Sequence, residues 1–378
     1  MKIYKKQNVF EAAIERINFL FDEFDEIIVS SSGGKDSTVV YELTKMVAKQ
    51  RGQTPLKVFW LDQECEYQST ETYVKSVMYD EDVEPLWYQI PFRLQNATSQ
   101  TDLWLNCWGP GEQWVREKDP ISFKENTYGV DRFVGLMEAI INQEFSDKRV
   151  AVLTGVRGEE SQRRMMGLTE HATYKWVTWG KVIEKKMEHY LFHPLYDWSY
   201  TDIWKAIHDH GWTYNTHYDD LYRYGVPARN MRVSNYHHET AIASLFWLQE
   251  IEPETYEKAT QRISGLDTAG KMGKDDYFIK DLPFMFKDWE EYRDYLLENL
   301  ITREDMRAHM KHEFDLAERN FPDEVGIGLY KLQINCIMAN DYDLTKLQNW
   351  KASRDSGKRQ ERLKAHNDKF KSLDSTVN

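Results

Sequence analysis

The run Ser32-Gly33-Gly34-Lys35-Asp36-Ser37 gathers a cation, a carboxylate and two hydroxyls around a pair of glycines. Such a set binds oxyanions. The glycines permit positive φ and close approach of the backbone to a ligand, while Ser32 and Ser37 add donors. Lys35 supplies a full positive charge, expected at an exposed strand end. A second run, Thr154-Gly155-Val156-Arg157-Gly158-Glu159-Glu160-Ser161-Gln162-Arg163-Arg164, carries three guanidinium groups. Arginine suits bidentate capture of phosphate or sulfate oxygens. Pairing of Arg163 or Arg164 with Glu159 or Glu160 along a helix is the competing use of those charges.

These residues fall at element boundaries. Ile27-Ile28-Val29 reads as a short buried strand, and Thr38 to about Gln50 as a helix ending at Arg51-Gly52. Strand, glycine turn and helix together present backbone N–H groups and a helix N-terminus to an anion. Leu56–Leu61 reads as a second strand closing on Asp62, Leu86–Ile90 as a third and Val150–Leu153 as a fourth. Helices are expected over Asn8–Phe24, about Ser69–Tyr79 and Arg132–Phe145. Strands alternating with helices predict an α/β fold, a doubly wound and mostly parallel sheet covered on both faces. Ligands in such sheets bind beyond the carboxyl ends of the strands, where the glycine loop, Asp62 and Gly155 all lie.

The stretch 96–128, rich in Trp, Pro and Gly, is too long for an ordinary connection and reads as an insertion or lid. After about Trp247 the pattern turns helical and charged. The predicted division is therefore a nucleotide-binding α/β domain over 1–246 and a helical C-terminal extension over 247–378, with surface helices from Trp289 onward.

A net charge of −13 argues against bulk affinity for nucleic acid. A basic tail from Lys351 leaves a local contact open. No run reaches the roughly 18–20 apolar residues of a membrane span, so cytoplasmic residence is expected. Cys65, Cys107 and Cys336 lie too far apart for a disulfide framework or a Cys-x-x-Cys site.

The Ser32–Ser37 string is not a Walker loop, because Asp36 follows Lys35 where that loop has Ser or Thr. It resembles the pyrophosphate loop of the adenine-nucleotide α-hydrolase superfamily, which includes ATP pyrophosphatases and phosphoadenosine-phosphosulfate (PAPS) reductases. The Gly155-x-Arg157…Glu160-Ser161…Arg164 turn resembles a PAPS reductase segment. So do Pro194-Leu195-x-x-Trp198…Asp202-Ile203-Trp204 and Tyr214-Asn215…Leu221-Tyr222. The Trp-rich insertion and charged extension look most like a bacterial and phage branch that includes the immunoglobulin-binding regulator A proteins.

The resemblance implies an enzyme that binds ATP or a sulfonucleotide with Mg²⁺. It assigns Lys35, Asp36, Arg157 and Arg164 to catalysis. Ser32, Gly33, Gly34, Lys35, Asp36, Ser37, Asp62, Gly155, Arg157 and Arg163 are assigned to the nucleotide. Asp36 is implied to hold the metal through the nucleotide or to orient the loop, and Asp62 to approach the ribose or adenine.

The pattern departs from the reductases in one respect: no Glu-Cys-Gly-Leu-His string supplies the attacking thiolate. The cysteine pairs of an iron–sulfur cluster are missing too, and none is expected. The expected chemistry is therefore attack on the α-phosphorus of ATP by an unidentified acceptor, releasing pyrophosphate. A nucleotide-dependent regulator using its extension on a protein partner is the first alternative. A sulfonucleotide reductase or sulfurtransferase is the second.

Overall fold

The computed structural model describes residues 6–99, 101–168, 171–237, 244–271 and 281–355. Helix α1 (Val9–Glu23) opens on a capping box, in which the Asn8 side chain accepts from Glu11 N–H and Glu11 accepts from Asn8 N–H. Ala13, Ile17 and Leu20, three to four residues apart, line its buried face. Strand β1 (Glu26–Ser30) leads into the glycine loop and α2 (Lys35–Arg51), which stops at Gly52 with φ of 66°. Then come β2 (Leu56–Leu61), α3 (Gln68–Met78) and β3 (Val83–Tyr88). A two-stranded sheet, β4 (Phe92–Gln95) with β5 (Trp104–Cys107), follows, and then α4 (Phe133–Glu144) and β6 (Val150–Leu153).

A short 3₁₀ turn (Gly158–Glu160) and α5 (Gln162–Gly167) lead to the hairpin β7 (Gly180–Glu184) and β8 (His189–Phe192). The main sheet has the order β3-β2-β1-β6-β8-β7, parallel throughout except for β7 against β8. This is the α/β, mostly parallel architecture the sequence predicts. The central strands β1 and β6 are apolar runs because both faces are covered: Ile28, Val29 and all of Val150–Leu153 are shut from solvent. The β7–β8 hairpin has no counterpart in the sequence reading. Its strands are short and β7 keeps Lys181 and Val182 exposed, so no apolar run marks it.

Helices α6 (Tyr200–His210), α7 (His217–Tyr224), α8 (Leu245–Ile251) and α9 (Pro253–Arg262) come next. Ser199 caps α6 by accepting from Asp202 N–H, and Ile203 and Ile207 fill its buried face, as their spacing predicts. Glu252, just before α9, accepts from Gln68 N–H, Ser69 N–H and Ser69 Oγ–H. It thereby caps α3, whose own N-cap residue Tyr67 makes no side-chain cap bond to the helix.

Two compact units emerge. The first comprises 1–94, 104–236 and 247–262; the second comprises 95–103, 237–246 and 263–378. A contiguous boundary at residue 246 does not describe them. Residues 95–103 are stitched into the second unit: Asn96 Nδ2 donates to Ser264 O at 3.1 Å, and the Asn340 amide donates to Ser99 O. The insertion is thus shared between units, and its part in the first is packed rather than free. Trp108 is fully buried and donates through its indole N–H to Asp62 O.

The second unit carries α10 (Leu266–Lys271), α11 (Trp289–Asn299), α12 (Glu304–Asn320) and α13 (Ile327–Met338). They are more than surface helices. Buried Arg293 of α11 reaches Glu318 of α12 at 2.5 Å and Gln333 of α13 at 2.6 Å, and Leu329, Ile334, Cys336 and Ile337 are core. Of the basic tail, Lys351 pairs with Glu313 and Arg354 with Glu324; everything after 355 lies outside the described residues. Among the described residues no helix is long and apolar enough to cross a membrane.

Candidate nucleotide site

Loop geometry follows from its residue types. Gly33 has φ of 69°, and a Cβ there would stand 2.6 Å from Thr70 Cγ2 and 3.0 Å from Val74 Cγ2, so α3 closes on the loop where only glycine fits. Ser37 Oγ donates to Gly34 O at 2.9 Å and accepts from Ser32 N–H at 3.3 Å, bracing the turn from inside. Gly34 is the N-cap of α2 and makes no side-chain bond. Of the first-turn N–H groups of this 17-residue helix, that of Lys35 donates to Tyr218 Oη at 3.2 Å, and no Gly34 side chain competes with an anion for the others.

Charge converges at the same point. Lys35 Nζ lies 2.8 Å from Asp36 Oδ2, and Arg157 Nε lies 2.5 Å from Asp36 Oδ1. Arg157 also reaches Glu159 at 3.2 Å, giving a chain Lys35–Asp36–Arg157–Glu159. Lys35 is not at an exposed end. It is buried, with Nζ 5.4 Å from the Tyr218 ring centroid and 5.7 Å from that of Tyr200, within cation–π range. Arg157 is buried too, whereas Arg164 is exposed and pairs with Glu160.

Both Asp36 oxygens are engaged by cations. That suits orienting the loop. Gly155 serves by close approach: a Cβ there would fall 2.6 Å from the Asp36 carbonyl carbon and 2.7 Å from Ser37 N, so the β6 turn rests on the start of α2. Arg163 lies on α5, and its side chain is outside what is described.

Asp62 sits at the end of β2 but faces inward. Its fully buried carboxylate accepts from Trp87 Nε1 and Gln89 Nε2 at 3.0 Å each, and from Arg116 at 2.7 and 2.9 Å. Every lone-pair direction is used by the protein, so direct contact with ribose or adenine is not the role this placement offers. Asp62 positions the β2–α3 connection instead.

A glycine loop after the first strand, a partner arginine from the β6 turn and a parallel sheet with both at its carboxyl edge define the lineage, and the sequence match agrees. Residues 26–224 match the phosphoadenosine phosphosulfate reductase domain family. The chain belongs to the PAPS reductase family, within the adenine-nucleotide α-hydrolase superfamily. Residues 225–376 match a domain of unknown function (DUF3440). The uncharacterized protein YbdN of Escherichia coli (strain K12) is 30% identical over 318 residues, covering 79% of this chain and 78% of that one.

Among solved structures, the phosphate complex of PAPS reductase from Candida auris aligns at 12% identity with a TM-score of 0.33, over 62% of this chain and 98% of that one. FMN adenylyltransferase from Candida glabrata aligns at 14% identity and 0.35, over 57% of this chain and 62% of that one. The chain thus spans less than two thirds of the adenylyltransferase, and at these values no chemistry carries over.

Cys65, Cys107 and Cys336 are all buried. Burial, followed by the Glu64 charge, pushes the Cys65 thiol well up. Burial and neighbouring Cys65 do the same to Cys107, and burial with Asp341 to Cys336. All three stay protonated and are poor nucleophiles.

Tyr218 and Asn215 are the contributors that residue-by-residue reading misses. Tyr218 Oη accepts from Lys35 N–H at 3.2 Å, and burial pushes its phenol pKa up, so the hydroxyl keeps its proton. Fully buried Asn215 donates to Gly33 O at 3.0 Å and Thr70 Oγ1 at 2.8 Å, locking loop to α3. Only their place in the Tyr-Asn…Leu-Tyr stretch signals them, since nothing in their spacing points back across 180 residues.

Proposed function

We propose that this protein binds Mg·ATP at the glycine loop and directs an acceptor oxygen onto the α-phosphorus. The new bond joins acceptor to α-phosphorus, the α–β bridging P–O bond breaks, and pyrophosphate leaves as the acceptor loses its proton. The N-terminus of α2, which Gly34 leaves without a side-chain cap of its own, and Lys35 held beside it by Asp36 support the reading: such groups stabilise charge growing on a departing pyrophosphate. Tyr218 keeps a hydroxyl proton to donate to a phosphate oxygen. Arg157 orients Asp36, and exposed Arg164 is left to meet the substrate. Three buried, protonated thiols disfavour attack at sulfur.

The test is product identity from ATP and magnesium with cell extract as the acceptor source, using Lys35→Ala as control. Pyrophosphate with AMP or an adenylylated acceptor supports the proposal. Lys35-dependent ADP and orthophosphate, or sulfite from PAPS, overturns it. Tight ATP binding without turnover under any condition would make the protein a nucleotide-dependent regulator.

A further inference from the structure

We propose that Thr154 and His193 are the proton-accepting pair of this site: Thr154 meets the acceptor hydroxyl in the ligand crevice, and His193 takes the proton through it. The pair rests on the adenylyl-transfer reading above and supplies the destination of the acceptor's proton.

Topology puts Thr154 at the crevice. From β1 the sheet builds outward through β2 and β3 on one side, whereas β6 lies on the other side with β8 and β7 beyond it. An open parallel sheet binds its ligand where the strand order reverses, outside the carboxyl ends. That point is the gap between β1 and β6. Val29 pairs with Leu153, so the glycine loop and Thr154 leave the sheet side by side. Gly155, the next residue, lies against the Asp36 backbone. Thr154 is half-buried, and its Oγ1 stands 2.6 Å from Nδ1 of His193.

Both strand ends are fixed, and with them this contact. Thr154 N–H donates to Phe192 O and His193 N–H to Trp179 O, each at 2.9 Å. His193 is buried, and its Nε2 makes no hydrogen bond among the described residues. With the ring proton on Nε2, Nδ1 is left to accept from Thr154 Oγ1–H.

The carboxylates that flank the loop and the β6 turn are already engaged. Asp36 holds Lys35 and Arg157, Glu159 holds Arg157 and Tyr200 N–H, and Glu160 holds Arg164 and Arg157 N–H. The imidazole is the base left to act. Burial, then the Arg164 and Lys181 charges, pull it down to about 4, so it is neutral and open to a proton at physiological pH. Arg164 is itself paired with Glu160 and Lys181 with Glu138. An anionic nucleotide in the crevice therefore raises the imidazole toward the range in which a base works best.

In the step, the acceptor oxygen bonds to the α-phosphorus as its proton passes to Thr154 Oγ1 and the Thr154 proton passes to Nδ1. The α–β bridging P–O bond breaks and its electron pair leaves with pyrophosphate. His193 stays an imidazolium until product release returns the proton to water.

The test uses the full chain. Histidine-ring NMR, with and without AMPCPP and magnesium, follows His193, whose signal is assigned by its loss in His193→Gln. Its titration midpoint is expected to rise by about one pH unit on nucleotide binding. Pyrophosphate release from ATP, with cell extract as the acceptor source, is expected to fall about a hundredfold in His193→Gln and in Thr154→Val. AMPCPP affinity should stay within about twofold in both, and Thr154→Ser should retain most of the rate. An unmoved midpoint in protein that binds AMPCPP overturns the proposal and leaves nucleotide binding intact. Full turnover in either variant, or a loss of affinity matching the loss of rate, overturns it too. A wild type that fails to bind AMPCPP, or binds it and releases no pyrophosphate from ATP, defeats the parent reading and the pair with it.

Discussion

Arg157 Nε stands 2.5 Å from Asp36 Oδ1, on a carboxylate whose other oxygen holds Lys35 Nζ at 2.8 Å. One half-buried carboxylate therefore holds two buried cations, Lys35 and Arg157. Its removal and theirs must have different consequences.

Asp36→Asn leaves Lys35 and Arg157 buried beside each other without their shared counter-charge. Breaking a buried pair from one side costs about 3 kcal/mol. Urea unfolding at neutral pH should show that loss. The double variant Asp36→Asn with Arg157→Gln should recover part of it. Strict additivity of the two would show that the contact carries no coupling.

Lys35→Ala leaves Asp36 still paired with Arg157, so the fold is expected to survive. Binding should not. Loss of a charge-assisted contact to phosphate weakens affinity by roughly ten- to a hundredfold. Calorimetric titration with AMPCPP checks this, and unchanged affinity in a folded variant removes Lys35 from the site.

Gly155→Ala introduces a Cβ within 2.6 Å of the Asp36 backbone and 2.7 Å of Ser37 N. The β6 turn and the first turn of α2 must move apart. A stability loss of about 2 kcal/mol is expected from the overpacking alone. AMPCPP affinity should fall as well, because the loop shifts relative to its N–H groups. Full stability with full affinity would contradict the close packing described.

Glu252 supplies a pH test. Burial raises its carboxyl, but the His217 imidazole 3.7 Å away and bonds from Ser69, Thr255 and Gln68 N–H outweigh burial and hold it at about 2, against an ordinary 4.5. The unfolded chain takes up the proton first as pH falls. This contribution is therefore complete above about pH 4.5 and lost progressively down to about pH 2, amounting to about 3 kcal/mol. Glu252→Gln should be less stable at neutral pH and should show a flatter acid dependence across that window. An unaltered acid profile would detach Glu252 from the cap of α3.

The three thiols should react with a disulfide reagent only as the protein unfolds, since each is buried and protonated. Labelling rates tracking global unfolding in urea would agree. A single fast thiol in native conditions would revive the reductase chemistry.

Much of this architecture is legible locally. Ile27–Val29 and Val150–Leu153 are continuous apolar runs, Leu56–Leu61 is interrupted only by Lys57, and they became the parallel core strands β1, β6 and β2. The glycine loop declares itself because positive φ at Gly33 and a glycine N-cap at Gly34 are backbone properties encoded within a few residues. The β7–β8 hairpin stayed hidden because a short strand with an exposed charged face carries no distinctive pattern. The discontinuous second unit stayed hidden because pairing such as Asn96 with Ser264 spans 168 residues.

The chain by itself determined the chemistry on offer: an anion-binding turn, a cation beside it, arginines at a second strand end and no cysteine motif for reduction. Tertiary structure decided which partner each charged group takes. Asp62, a carboxylate at a strand end like any ligand-facing one, is turned inward onto Arg116, Trp87 and Gln89. Lys35 is drawn beneath Tyr200 and Tyr218. The physical reason is range. Backbone conformation is set by neighbours in sequence, whereas an ion pair or hydrogen bond forms only within about 3–4 Å. That separation exists between Asp36 and Arg157 only once the sheet has brought residues 121 positions apart to the same edge.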